Sequence, residues 1–218
     1  MTLESSKTLG GIGAILMFVG ALPYISTYGI VELVGVILVL VALHGLANFY
    51  RDRSIFNNAI YGVIAGIVGI IVAAVVVVVT VLTSLRDFLI QIFPTWNGTD
   101  WTALQGLTPD TSNFDPAAII PFLAGILVVI VVVWIFAIIA AFFIRRSLKT
   151  LSARSTVGLF STAGLLMLVG AVLIIIFGIG LILIWISVLI LAIAFFTMKP
   201  HEPAIPPAPV SPPPPTSV

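Results

Sequence analysis

One ionisable side chain lies deep inside an apolar stretch of this sequence: His44, followed four residues later by Asn48. Residues four apart share a helix face, so an imidazole and a carboxamide stand together as a candidate intramembrane polar site. An imidazole there can relay a proton or hold a ligand, and ionisable groups are costly enough in a bilayer to point to a role. The structural reading of the same residues is a neutral imidazole bonded across helices, with Tyr24, Asn57 or Asn58 as partners. Other reactive constellations are missing. The chain has no cysteine, which removes disulfides, thiolate metal sites and cysteine nucleophiles. His44 and His201 are too far apart for a local chelate, and neither a nucleophile elbow nor a zinc helix motif occurs. No catalytic residue, cofactor or metal is expected, and an enzyme is not.

The elements that must position these residues are set by composition. Of 218 residues, 61% are hydrophobic and 8% charged, against about a quarter charged in soluble domains. A net charge of +1 is too small for a nucleic-acid surface. The expected fold class is all-α, a polytopic integral membrane protein. Six charge-free stretches qualify as spans: Leu9 to Ile25, Leu33 to Tyr50, Ile55 to Leu85, Ala117 to Ile144, Val157 to Phe177 and Leu181 to Met198. A span needs about 20 apolar residues; the third and fourth exceed that, so they tilt or their ends leave the membrane. The first stretch is read as a retained helix, since Glu4 and a single Lys7 make a poor signal-peptide start.

Six spans make three hairpins and place eight of the nine basic residues on one side. Only Arg86 falls on the other, with Glu32, Asp87, Asp100, Asp110 and Asp115. Positive charge marks the cytoplasmic face, so both termini are expected in the cytoplasm and the protein in the plasma membrane. The basic segment Arg145 to Arg154 is read as a topology-setting loop that can also meet anionic headgroups.

The outer two hairpins match as a parallel repeat. Ala14 to Ala21 aligns with Gly164 to Ala171, with five identities in eight, and Gly35 to Ala42 then meets Ser187 to Ala194 after a slip of two. Both copies start on the same side. Gly62, Gly66, Gly69 and Ala73 form a small-residue stripe on the third helix, and Gly10, Gly13 and Gly20 a similar one on the first. Such stripes let helix backbones approach closely, within one chain or between copies, so a homo-oligomer is a possible assembly and membrane lipid the expected surrounding partner.

The external loop, residues 86–116, opens with Phe88, Leu89, Ile92, Phe93 and Trp96 at helical spacing, which predicts a short amphipathic interface helix anchored by Trp96 and Trp101. Asn97 begins an Asn-Gly-Thr glycosylation sequon. Glu32 at the outer mouth of the second helix faces headgroups or pairs with Arg86. Residues 1–199 thus form one transmembrane domain. Residues 200–218 form a proline-rich tail, expected to be extended or disordered, which a cytoplasmic partner with an aromatic groove could bind.

The opening residues Met1 to Gly13, the stretch Leu40-Val-Ala-Leu-His-Gly-Leu46 and Asp52-Arg-Ser-Ile-Phe-Asn-Asn58 resemble an archaeal membrane-protein family known as domain of unknown function 996. The likeness spans most of residues 1 to 198. It implies a multi-helix integral membrane protein and brings no activity, cofactor or site residue. The leading expectation is a non-enzymatic protein acting through packing with itself, lipid or a partner. The alternative is a small transporter or channel component for a hydrophobic or small substrate, with His44 in its pathway.

Overall fold

The computed structural model describes residues 2–22, 29–112, 115–176 and 178–199. Tyr24 and the proline-rich tail lie outside the described residues. Within them every regular element is helical: α1 (Leu3–Gly20), α2 (Ile30–Phe49), α3 (Arg53–Thr80), α4 (Arg86–Ile92), α5 (Ile120–Ser155), α6 (Leu159–Leu173) and α7 (Ile179–Thr197). Thr2 caps α1 and Asp52 caps α3, each accepting from a backbone N–H in the first turn. Gly29 and Gly178, at φ 65° and 71°, turn the chain into α2 and α7, a left-handed backbone that glycine adopts without strain.

Two helices are longer than the apolar stretches predict. A π turn, Val81–Leu85, carries α3 straight into α4, giving one helix from Arg53 to Ile92. The expected interface helix at Phe88 to Trp96 is therefore largely the end of this long helix. The segment Arg145 to Arg154 is not a loop but the last turns of α5, which stops at Thr156, a left-handed residue with φ 60°. Pro121 sits in the first turn of α5, where its missing N–H costs nothing. Among the described residues four helical segments are long and apolar enough to cross a membrane: 30–49, 53–92, 116–155 and 179–197. The apolar α6 is shorter, at 15 residues, or about 22 Å. The first helix starts earlier than expected, with Glu4 and Lys7 in its opening turns.

The helices pack as a closed ring in the order α1, α2, α3, α5, α6, α7 and back to α1. At the end bearing Lys7, Arg51, Arg53, Arg154 and Lys199, here the basic end, the ring is filled. Leu46, Ile55, Leu148, Leu151, Phe160 and Phe195 are at most 1% exposed there. Ser147 Oγ donates to the Ile55 carbonyl at 2.5 Å, joining α5 to α3 inside this core. Asp52 joins the same helices at the surface, accepting from Arg154 Nε and Nη2 at 3.0 Å. At the far end α5 passes the end of α6 where Trp134 Nε1 donates to the Val172 carbonyl at 3.1 Å. Beyond that point α5 runs on for another 14 residues, about 20 Å, packed on α3 through Thr80 against Gly125. Its other faces, and those of α3, carry exposed Ile70, Val75, Val78, Leu123 and Leu127.

The two outer hairpins cross at matching positions of the sequence repeat. A Cβ on Gly20 would lie 2.9 Å from the Glu32 nitrogen, and one on Gly170 3.1 Å from the nitrogen of Ile184. The next crossing pairs Gly13 with Gly35 in the first hairpin, where a Cβ on Gly35 would lie 2.6 Å from the Gly13 carbonyl. In the second hairpin the aligned residues are Ala163 and Ser187, and Ser187 Oγ donates to the Ala163 carbonyl at 2.8 Å. Both crossings thus keep the register that the alignment implies.

Candidate functional site

The ring surrounds an apolar, half-open cleft, here the lumen. Its wider chamber, about 620 Å³, lies toward the far end and is lined by Met17, Glu32, Ile144, Met167, Ile184 and Trp185 among others. A narrower chamber of about 100 Å³ lies among Val39, Leu43, Ala59, Leu148 and Leu191. Met17, Ile144 and Met167 line both chambers and so form the waist between them. Leu43, Leu148 and Leu191 belong also to the filled core, so the lumen ends blind toward the basic end. Its mouth, marked by Ala21, Leu22 and Leu181, opens at the far end.

Repeat-related residues face one another across this space. Met17 and Met167 are equivalent in the alignment, as are Glu32 and Ile184, Val36 and Val188, and Val39 and Leu191; all eight line the lumen. The two hairpins are therefore the two halves of one container, with α5 completing the wall through Ile144. Unbranched methionines adapt to irregular apolar shapes, which suits a waist that must admit ligands of varying outline. Trp185 is held by its Nε1, which donates to the Phe18 carbonyl at 3.0 Å, and by stacking on the Phe18 ring at 4.2 Å. That contact seals the ring between α7 and α1.

Among the described residues Glu32 is the one charged residue in the lumen wall, and it stands at the mouth, exposed. Among the described residues it makes no ion pair, with Arg86 or any other cation. The Arg86 guanidinium lies instead beside Gly98.

The structure puts His44 and Asn48 together: Asn48 Nδ2 is 3.2 Å from His44 Nε2. Both are exposed on the outer side of α2, toward its basic end, and His44 meets Phe56 edge-on at 4.8 Å. Neither residue lines the lumen. Of the partners expected for this pair, Asn58 is turned away and bonds the Ser54 carbonyl at 2.7 Å, and Tyr24 lies outside the described residues.

The small-residue stripe of α3 packs on α5 within the chain. A Cβ on Gly62 would meet Ile144 and the Ala140 carbonyl, and one on Gly69 would lie 2.5 Å from Phe136 Cβ. Ala73 is buried in the same seam. Gly66 is not part of it, having open space around it. At 100° per residue Gly66 lies about 40° round from Gly62, whereas Gly69, Ala73 and Thr80 stay within about 20°.

Asn97 is exposed in a folded loop at the end of the long hairpin, here the cap, where its Oδ1 accepts from the N–H groups of Thr99 and Asp100 at 2.9 and 3.0 Å. Trp96, only 4% exposed, donates to the Asp100 carbonyl at 2.6 Å and meets Trp101 edge-on at 5.0 Å. It is the core of this cap, leaving Trp101 as its exposed aromatic. Thr102 donors hold the Asp100 carboxyl below its ordinary range, and Ser112 donors do the same for Asp110, so the loop's carboxylates are spent on its own turns.

The family described as "Protein of unknown function (DUF996)" matches residues 31–189. The chain belongs to this family. The DUF996 match takes in α2 to the middle of α7, and with them Glu32, Met167, Ile184 and the His44 pair, while the N-terminal residues that prompted part of the resemblance precede it. An uncharacterized protein of the archaeon Methanocaldococcus jannaschii is 27% identical over 198 residues, covering 91% of this chain and 94% of that protein. No solved structure matches the chain.

Sequence reasoning missed the lumen. Its lining consists of ordinary apolar residues, and no single one stands out. The usable signal was the repeat, which already pairs Met17 with Met167 and sets Glu32 against an isoleucine.

Proposed function

We propose that this DUF996 member is a non-enzymatic integral protein of the plasma membrane that holds a hydrophobic, lipid-like molecule in the lumen between its two outer hairpins. The observation that carries this reading is the half-open apolar chamber of about 620 Å³, within the range of small-molecule sites. A void of that size lined by side chains forfeits their dispersion contacts unless something occupies it. A hydrophobic ligand also meets the main objection to transport here, since it needs no polar path at mid-membrane. The pathway is drawn without His44.

The reading includes six membrane-embedded helices with both termini cytoplasmic, supported by the gathering of basic residues at one end. Because the chain has no cysteine, introduced thiols test this directly. Thr108→Cys should react with an impermeant maleimide on intact cells, and Ser5→Cys only after permeabilisation; the reverse pattern overturns the orientation.

The ligand reading is tested by native mass spectrometry of protein released from its own membrane. Wild type should retain a lipid-like adduct, and Met167→Trp, which fills the waist, should release it. A bare wild-type protein, or an adduct that survives the tryptophan, overturns the reading.

A further inference from the structure

We infer that the lumen takes an amphiphile with a cationic head, a long-chain amine or ammonium compound, with the head at Glu32 and the apolar body reaching past Trp185 to the Met17–Met167 waist. This rests on the lumen reading above and names the ligand class for that site.

The argument begins from the difference between the facing walls. Glu32 and Ile184 hold equivalent places: each backbone nitrogen is approached by a glycine of the preceding helix, Gly20 or Gly170. Helix crossing fixes both backbones alike; Ile184 also packs its Cγ1 at the Gly170 crossing, whereas Gly20 meets only the backbone and Cβ of Glu32, leaving the carboxylate outside the crossing. The second hairpin fills the place with isoleucine, so the container does not require a carboxylate there. In the first hairpin a carboxylate stands at the mouth, and among the described residues it has neither an ion-pair partner nor a hydrogen bond. The rest of the lining among the described residues has no charge.

A single anionic group at the rim of an otherwise apolar chamber selects by charge at one end of a ligand. An ammonium head meets a charge-assisted hydrogen bond at Glu32, while its chain enters walls that accept any apolar outline. An anionic amphiphile would place like charges together at the mouth, with no lysine or arginine in the lining to offset them. A neutral one gains only from burial of its chain. The site therefore reads the head and tolerates the tail.

The test uses the full chain in nanodiscs of phosphatidylcholine, with equilibrium binding of dodecylammonium and of dodecanol measured against empty discs near neutral pH. Wild type should bind the amine roughly tenfold more tightly than the alcohol. Glu32→Gln should lose that preference and keep its affinity for dodecanol. Moving the charge across the mouth, in the double variant Glu32→Gln with Ile184→Glu, should restore it. An amine preference that persists in Glu32→Gln, or stays lost in the double variant while dodecanol still binds, overturns the head-group assignment and leaves the lumen standing. Binding of both probes that survives Met167→Trp, or binding of neither to wild type, overturns the lumen reading and this inference with it.

Discussion

The hairpins α1–α2 and α6–α7 are alike where they cross and unlike where they meet the rest of the ring. Both cross through small residues at aligned positions, and both send aligned side chains into one lumen. Yet α7 packs directly on α1, through Phe195 against Gly10 and Trp185 against Phe18. A two-fold relation would map that contact onto α2 with α6. At that place the ring instead holds α3 and α5. The middle hairpin is thus an insertion that opens one of two equivalent seams. Its length is what lets it project beyond the container while its basic half completes the wall. The pair of short hairpins makes a site, and the long hairpin makes it asymmetric.

The largest effects should come from breaking a crossing, and they should be equal in the two copies. A side chain on Gly170 would drive into the backbone of α7 at Gly180 and Ile184, and one on its aligned partner Gly20 into that of α2 at Glu32. Backbone cannot yield as a flexible side chain can. Gly170→Leu and Gly20→Leu should each cost about 3 kcal/mol or more, read as loss of the folded fraction in detergent unfolding. A large cost in one hairpin and none in the other would break the equivalence.

The long hairpin offers a smaller effect with an internal control. Gly69→Leu would meet Phe136 Cβ and should destabilise by about 2 kcal/mol, whereas Gly66→Leu enters open space and should stay within about 0.5 kcal/mol. If Gly66→Leu instead shifts the oligomeric state in native mass spectrometry, the outer side of α3 is a seam between copies and the stripe serves two surfaces.

At the basic end, Asp52 ties the start of α3 to the end of α5. Its carboxyl is held below the ordinary value of 3.8 by the Ser54 hydroxyl first and by Arg154 second. A carboxyl with a lowered folded value stabilises above its unfolded value and loses that contribution as pH falls through the folded one. Asp52→Ala should therefore cost about 1 kcal/mol near neutral pH, and the gap from wild type should close as the pH drops below about 4. A gap independent of pH would assign the loss to packing.

Helix existence was legible in the sequence, and helix ends were not, for a definite reason. Charges mark where a chain leaves an apolar environment; they do not stop a helix. Arg145, Arg146 and Lys149 continue α5 because nothing among them breaks a helix, and the stop comes only at Thr156 with Gly158 close behind. Likewise Arg86 and Asp87 are passed by α4, which ends shortly before Pro94. The stripe was legible as a pattern but not by member, since a spacing of four drifts off a seam that spacings of seven and eleven keep. The lumen was hidden because its chemistry resides in the arrangement of six apolar helices, and only Glu32 carries a charge that could have drawn attention to it.

The smallest effect is expected at the residue that stood out most in the sequence. His44 is exposed on α2, and its contacts are Asn48 on the same helix and the edge of Phe56. A surface pair of this kind, four residues apart, is worth a few tenths of a kcal/mol. His44→Phe keeps an aromatic ring beside Phe56 and places an apolar group on an apolar helix face. It should change stability by less than about 0.5 kcal/mol and leave dodecylammonium binding as in wild type. The second copy of the repeat already has Phe196 at the aligned position, so the substitution makes the hairpins more alike at a place that neither directs at the lumen. A loss of binding in His44→Phe, with Glu32→Gln silent, would move the site to the outer face of α2 and dissolve the comparison between the facing walls.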